Sequence, residues 1–238
     1  MHTETVTYEA DGLTMQSLLF VPGSDAPAPG ILVFPEAFGL GEHAIARAQR
    51  LASSGFVALA CDLHGDGRLV ETLEEAMPIA AALRADLLRL RARARAGLGM
   101  LAARPEVDAE RIAAIGFCFG GTMALELARS GAPIAGVVGF HCRIGTQRPQ
   151  DATNIRARIL ICNGADDPAA PAEDRAAFEA EMRSAGVDWQ MHLYGGVLHS
   201  FTNAEADTLG RPDFARYDAN ADRRSWQSML NFFDEIFA

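Results

Sequence analysis

The chain has 238 residues, 49% of them hydrophobic, and a formal charge of -10; one well-buried core is expected, two are not, and an acidic surface disfavours nucleic acid as a partner. All 21 basic residues are arginine, which excludes a Schiff-base lysine, a Ser/Lys dyad and a Walker-type phosphate loop. Cys61, Cys118, Cys142 and Cys162 lack C-x-x-C spacing, so no zinc knuckle or redox pair is expected, and reduced thiols in a cytoplasm are.

The opening residues carry neither a basic region nor an apolar core, so no signal peptide is expected, and no run approaches the roughly 20 apolar residues of a membrane span. Residues 3–10 and 14–22 alternate around Asp11-Gly12, which predicts an antiparallel hairpin. After a loop over 23–30, the apolar run 31–35 has the pattern of a strand buried on both faces. Helical spacing follows at 42–54, a strand at 56–61, and a long arginine-rich helical stretch at 71–103 with a break expected near Pro78. The stretch 111–131 runs from an apolar strand through Gly116-Phe117-Cys118-Phe119-Gly120 into a helix. Strand 134–140, loop 143–154, strand 158–162, helix 171–185, strand 187–194 and a closing amphipathic helix at 222–237 complete the chain. Strands separated by helices imply an α/β fold with a mostly parallel sheet covered on both faces, here as one domain over 1–238, and its ligand site beyond the carboxyl ends of the strands.

G-x-C-x-G between a strand and a helix is the pattern of a nucleophile elbow, with cysteine in place of serine. Glycines at 116 and 120 leave room for a turn so tight that Cys118 must take a strained backbone, while the helix start favours a thiolate or oxyanion. A cysteine nucleophile needs a base and the base an orienting acid. His199, in the loop after the last strand, is the expected base. Asp167, after the preceding strand, is the expected acid, with Asp166 as its competitor. The order Cys, Asp, His is that of α/β-hydrolase triads. The oxyanion hole is then expected from the backbone amides of Phe119 and Ala37. Next to Ala37, Glu36 is a carboxylate among Pro, Ala and Phe, costly unless partnered, and so a candidate partner of the thiol. Of the other histidines, His64 and His141 follow strands and are pocket candidates. His192 is expected to be structural, His2 to lie in a frayed terminus and His43 to open a surface helix. Zinc ligation by His64, His141 and His199 lacks any H-E-x-x-H or H-x-x-E-H spacing, and neither metal nor cofactor is expected.

The segments PEAFGL, DLHGDGR, GFCFGG, GADDPAAP and YGGVLHSF together resemble the dienelactone hydrolase family, from about Gly30 to the C-terminal SWQSMLNFFDE. The resemblance implies an α/β-hydrolase fold and a Cys-Asp-His triad at Cys118, Asp167 and His199, and it favours Asp167 over Asp166. It also implies that Glu36 holds the thiol at rest until substrate displaces it. One departure stands out: family members that open dienelactone have an arginine four residues beyond the histidine, where this chain has Asn203. Arg68, Arg84 and Arg143 are the candidate replacement cations, although Arg84, Arg89, Arg91, Arg93 and Arg95 read as a solvated helix face. Cys142 is a further thiol near the expected pocket.

These observations predict a hydrolase of small-molecule carboxylic esters or lactones, working through an acyl-cysteine. A glutamine amidotransferase-like cysteine enzyme is the catalytic rival, weakened because His199-Ser200-Phe201 lacks H-x-E. A hydrolase fold retained only for binding is the other rival. Oligomeric state is not legible.

Overall fold

In the computed structural model the described residues are 1–23 and 26–238, so Ser24 and Asp25 of the loop expected over 23–30 lie outside them. The N-terminal alternation forms β1 (His2–Ala10) and β2 (Leu13–Val21), paired antiparallel with Ala10 opposite Leu13. Asp11 and Gly12 between them have φ of 55° and 71°, the doubly left-handed turn whose twist matches that of a hairpin. His2 is therefore the first residue of a strand rather than part of a frayed end.

The apolar runs become β3 (Ala28–Phe34), β4 (Val57–Ala60), β5 (Val107–Phe117), β6 (Gly136–Phe140), β7 (Arg158–Gly164) and β8 (Trp189–Tyr194). All eight strands lie in one sheet in the order β1-β2-β4-β3-β5-β6-β7-β8, parallel from β4 to β8. Strand periodicity sends alternate side chains to opposite cores. Ile31 and Val33 join one core, while Leu32 and Phe34 join the other. The first core is closed by α1 (Glu42–Ser53) and α6 (Ala219–Ile236), which bring Leu51, Trp226 and Phe233. The second is closed by α2 (Leu73–Ala85), α3 (Leu87–Ala102), α4 (Phe119–Arg129) and α5 (Ala172–Ala185). Among the described residues no helix is long and apolar enough to cross a membrane.

Two expectations about the arginine-rich stretch are corrected. Helix α2 runs through Pro78 without a break; the residue is exposed, so the Glu74 carbonyl that lacks its usual amide partner can turn to water. The break falls at Asp86, whose φ and ψ of -113° and 82° end α2, and whose side chain caps α3 by accepting from the Arg89 amide at 3.2 Å. Nor is the whole arginine set a solvated face: Arg89 and Arg95 are exposed, whereas Arg91 is half-buried and Arg93 buried. Arg89 and Arg93 both grip Asp11 in the hairpin turn. Arg91 bridges Glu126 and Asp151 at 2.7 and 2.6 Å, with its own side chain 12% exposed. Arg95 donates to the Ser130 carbonyl. A long basic side chain can reach across a helix–helix or helix–turn contact, and acceptors distant in sequence decide where these point.

Candidate active site

The strand-to-helix turn between β5 and α4 puts Cys118 at φ 54° and ψ -115°, a conformation costly for any residue with a side chain. Both flanking glycines are dictated by space. A Cβ on Gly116 would lie 2.1 Å from the Gly120 carbonyl, and one on Gly120 would lie 2.2 Å from the Phe34 oxygen on β3. Gly121 serves a third approach, since a Cβ there would lie 2.4 Å from that of Cys142. The Cys118 amide donates to the Phe140 carbonyl at 3.0 Å, which pins the turn to β6. Its thiol is left partly exposed while Cys61, Cys142 and Cys162 are buried.

The structure brings Cys118, His199 and Asp167 together. His199 Nδ1 donates to Asp167 Oδ2 at 2.9 Å, and Cys118 neighbours the same ring, the two lining one cavity. Asp167 Oδ1 accepts from the Ala169 amide at 2.7 Å. Asp166 is exposed and its side chain takes no part in this arrangement. The histidine backbone is held by the segment opposite: its amide donates to Phe214 and its carbonyl accepts from Arg216, each at 3.1 Å. Gly164 lets the two loops cross, because a Cβ there would lie 2.1 Å from the Val197 carbonyl. Burial works against a charged ring at His199, but the neighbouring Cys118, with the Asp167 carboxylate, outweighs it and raises the histidine to about 10. The site is therefore suited to a protonated imidazole at His199.

Glu36, 6% exposed, has both oxygens engaged. Oε1 accepts from Ser200 at 3.1 Å and Oε2 from Asn203 at 2.6 Å, and His43 Nδ1 is 3.8 Å away. Ala37, Phe119, Cys118 and His199 line a single cavity of about 50 Å³, roofed by Leu73 and Met77 of α2. Arg84 and Arg143 also line it and continue into a groove of about 300 Å³. The Arg84 guanidinium carbon is 5.6 Å from the Phe119 ring centroid, and among the described residues neither arginine forms a salt bridge. Burial and the nearby Arg143 charge both work against the charge on Arg84.

The remaining pocket candidates are corrected. Arg68 is exposed and off the cavity. His64 supports the Ala37 loop from behind, donating from Nε2 to the Ala37 carbonyl at 2.9 Å. Its loop is itself gathered by Asp62, which accepts the amides of Gln16, His64, Gly65 and Gly67. This gives the DLHGDGR segment a structural reason. His141 is fully buried behind His199, their ring centroids 5.3 Å apart, and burial with the two neighbouring histidines holds it well below the ordinary range. Cys142 is buried under the elbow and its thiol is raised by that burial. Asn203 sits behind Glu36 rather than in the cavity. His43 is not a surface residue: its ring packs edge-on to Phe117 at 4.6 Å and its Nε2 lies 3.2 Å from the Thr202 carbonyl. The helices over 71–101 and the loop over 203–220, which the sequence marks as shaping the pocket, contribute Leu73, Met77 and Phe214 to its lining; the sequence reading missed Ser200, whose one signal is its place beside the histidine.

Residues 15–237 match the profile of the dienelactone hydrolase family. The chain belongs to that family. A solved structure named m3DLH is 46% identical to this family member, covers 100% of it and 99% of its own length, and superposes with a TM-score of 0.96. A dienelactone hydrolase-like promiscuous phosphotriesterase from metagenomic libraries is 42% identical, with a TM-score of 0.94 and coverage of 99% and 98%. A Yersinia pestis protein provisionally named carboxymethylenebutenolidase is 27% identical over 254 residues, spanning 99% of this chain and 89% of its own.

Proposed function

We propose that the chain hydrolyses small-molecule carboxylic esters or lactones by acyl transfer to Cys118. The observation that carries this reading is the buried His199–Asp167 contact of 2.9 Å, with His199 and Cys118 lining the same cavity. The thiolate attacks the carbonyl carbon. The developing oxyanion is met by the Phe119 amide, one of those a helix start leaves unpaired, and by the Ala37 amide. Imidazolium His199 then gives its proton to the leaving oxygen, and as neutral imidazole it draws a proton from the water that releases the acyl group. Asp167 keeps Nδ1 protonated and steadies the charge.

Glu36 is the proposed gate of the thiol: to reach Cys118 it would have to leave Ser200 and Asn203. Arg84 and Arg143, two neighbouring cations in a cavity lining that also includes Glu36, are the proposed contacts for a negatively charged substrate in place of the arginine absent at Asn203. Four free thiols, three of them buried, suit a reducing cytoplasm.

The test is turnover of a panel of lactones, aryl esters and thioesters by the wild type, Cys118→Ala and His199→Ala, with mass spectrometry of the adduct. An acyl group on Cys118 and loss of turnover in both variants are expected, and no effect of a chelator. Unchanged turnover in both variants would eliminate the mechanism.

A further inference from the structure

The loop that carries His199 is held at one residue by two other histidines. Thr202 is 2% exposed. Its hydroxyl is 2.8 Å from His141 Nε2 and 3.2 Å from His43 Nε2. Its carbonyl is 3.2 Å from the same His43 nitrogen and 2.5 Å from Arg47 Nη2. A carbonyl only accepts, so His43 Nε2 must carry hydrogen. The Thr202 hydroxyl can then accept from His43 while pairing with His141 Nε2. The contact joins three side chains on α1, the turn after β6 and the histidine loop.

Two consequences follow for the site. The hydroxyl fixes the His141 ring, which stands edge-on to His199 at 72° with centroids 5.3 Å apart and so walls one side of the base. The backbone on either side of Thr202 carries Ser200 and Asn203 to the two oxygens of Glu36. Ser200 itself is held at φ 54° and His141 at φ 37°, strained values for residues other than glycine, so surrounding contacts must maintain both.

We propose that Thr202 is a positioning residue for His199: through the junction His43–Thr202–His141 it holds the base and the Glu36 donors in the reactive arrangement. The inference rests on the reading of His199 as base. Thr202→Val keeps the side-chain shape and the backbone clamp to His43 and Arg47 but removes the hydroxyl, leaving His141 Nε2 buried without a partner. Thr202→Ser keeps the hydroxyl.

The experiment measures kcat and KM for a neutral aryl ester and, separately, the rate of Cys118 alkylation by iodoacetamide, in folded protein verified by circular dichroism. Thr202→Val is expected to lower kcat about 100-fold, the scale of a roughly 1 Å misplacement, with KM changed less than twofold. Alkylation is expected to slow in parallel, and Thr202→Ser to recover most of both losses. Thr202→Ala, which leaves space instead of a methyl group, serves if the valine variant does not fold and is expected to show the same split. Equal losses in the valine and serine variants, a kcat within twofold of wild type in Thr202→Val, or an effect confined to KM would each overturn the role. If the wild type turns over no ester, the hydrolase reading falls, while the alkylation rates still decide for or against Thr202.

Discussion

Asp167→Asn probes the buried pair on which the proposed chemistry depends. His199 and Asp167 are 3% and 2% exposed and their bonded atoms are 2.9 Å apart, so water screens their attraction little. Burial by itself would take His199 below its ordinary 6.5, yet Cys118 and Asp167 raise it to about 10. At 1.36 kcal/mol per pH unit, that difference is a preference of about 5 kcal/mol for the imidazolium. Asparagine keeps the shape and removes the anion, so the ring should titrate at lower pH, and kcat at neutral pH should fall by about 1,000- to 10,000-fold, the scale seen when the aspartate of a serine triad is neutralised. Because the folded value is raised, the stabilisation is complete below pH 6.5 and drains away as pH rises towards 10. The wild-type advantage in Tm over the variant should therefore shrink across that window. The assay is a pH-rate profile of aryl ester hydrolysis from pH 5 to 10.5 beside thermal melts. Wild-type activity should decline only as pH nears 10, and the variant at least about one pH unit earlier. Coincident alkaline limbs with less than a tenfold loss of kcat would refute the reasoning.

Removing the cavity cations with Arg84→Met and Arg143→Met should raise KM for an anionic hemiester about tenfold each, roughly one charge-assisted hydrogen bond, and leave a neutral acetate ester unaffected; equal effects on the two substrates would count against an anion contact. Gly120→Ala drives a Cβ to 2.2 Å from the Phe34 oxygen on a central strand, which should destabilise the fold by more than about 3 kcal/mol or prevent it, as read by urea denaturation. Arg91→Met should cost about 3–5 kcal/mol by leaving buried Glu126 short of a partner, with Arg129 at 3.1 Å compensating in part; a melting temperature within a degree of wild type would contradict this.

Much of the site was legible before any fold was known, because its requirements are local. A tight strand-to-helix turn around Cys118 needs glycines at 116 and 120 whatever surrounds it, and a parallel α/β sheet delivers its strand ends, with Asp167 and His199, to one edge. The hairpin at Asp11-Gly12 and the buried strands were set by the same short-range sterics and alternation. What tertiary structure decided was which surfaces meet. Arg91 and Arg93 read as solvated until Glu126 and Asp11, 35 and 82 residues distant, arrived as partners. Pro78 read as a break until its exposed position made the lost hydrogen bond cheap. His64, His141 and Cys142 were placed near the pocket by their strand ends, but packing turned them into its supports. Glu36 is the clearest case: composition alone showed a carboxylate in need of a partner. That its partners are Ser200 and Asn203, on a loop held by Thr202, follows from contacts across 164 and 167 residues that no periodicity encodes.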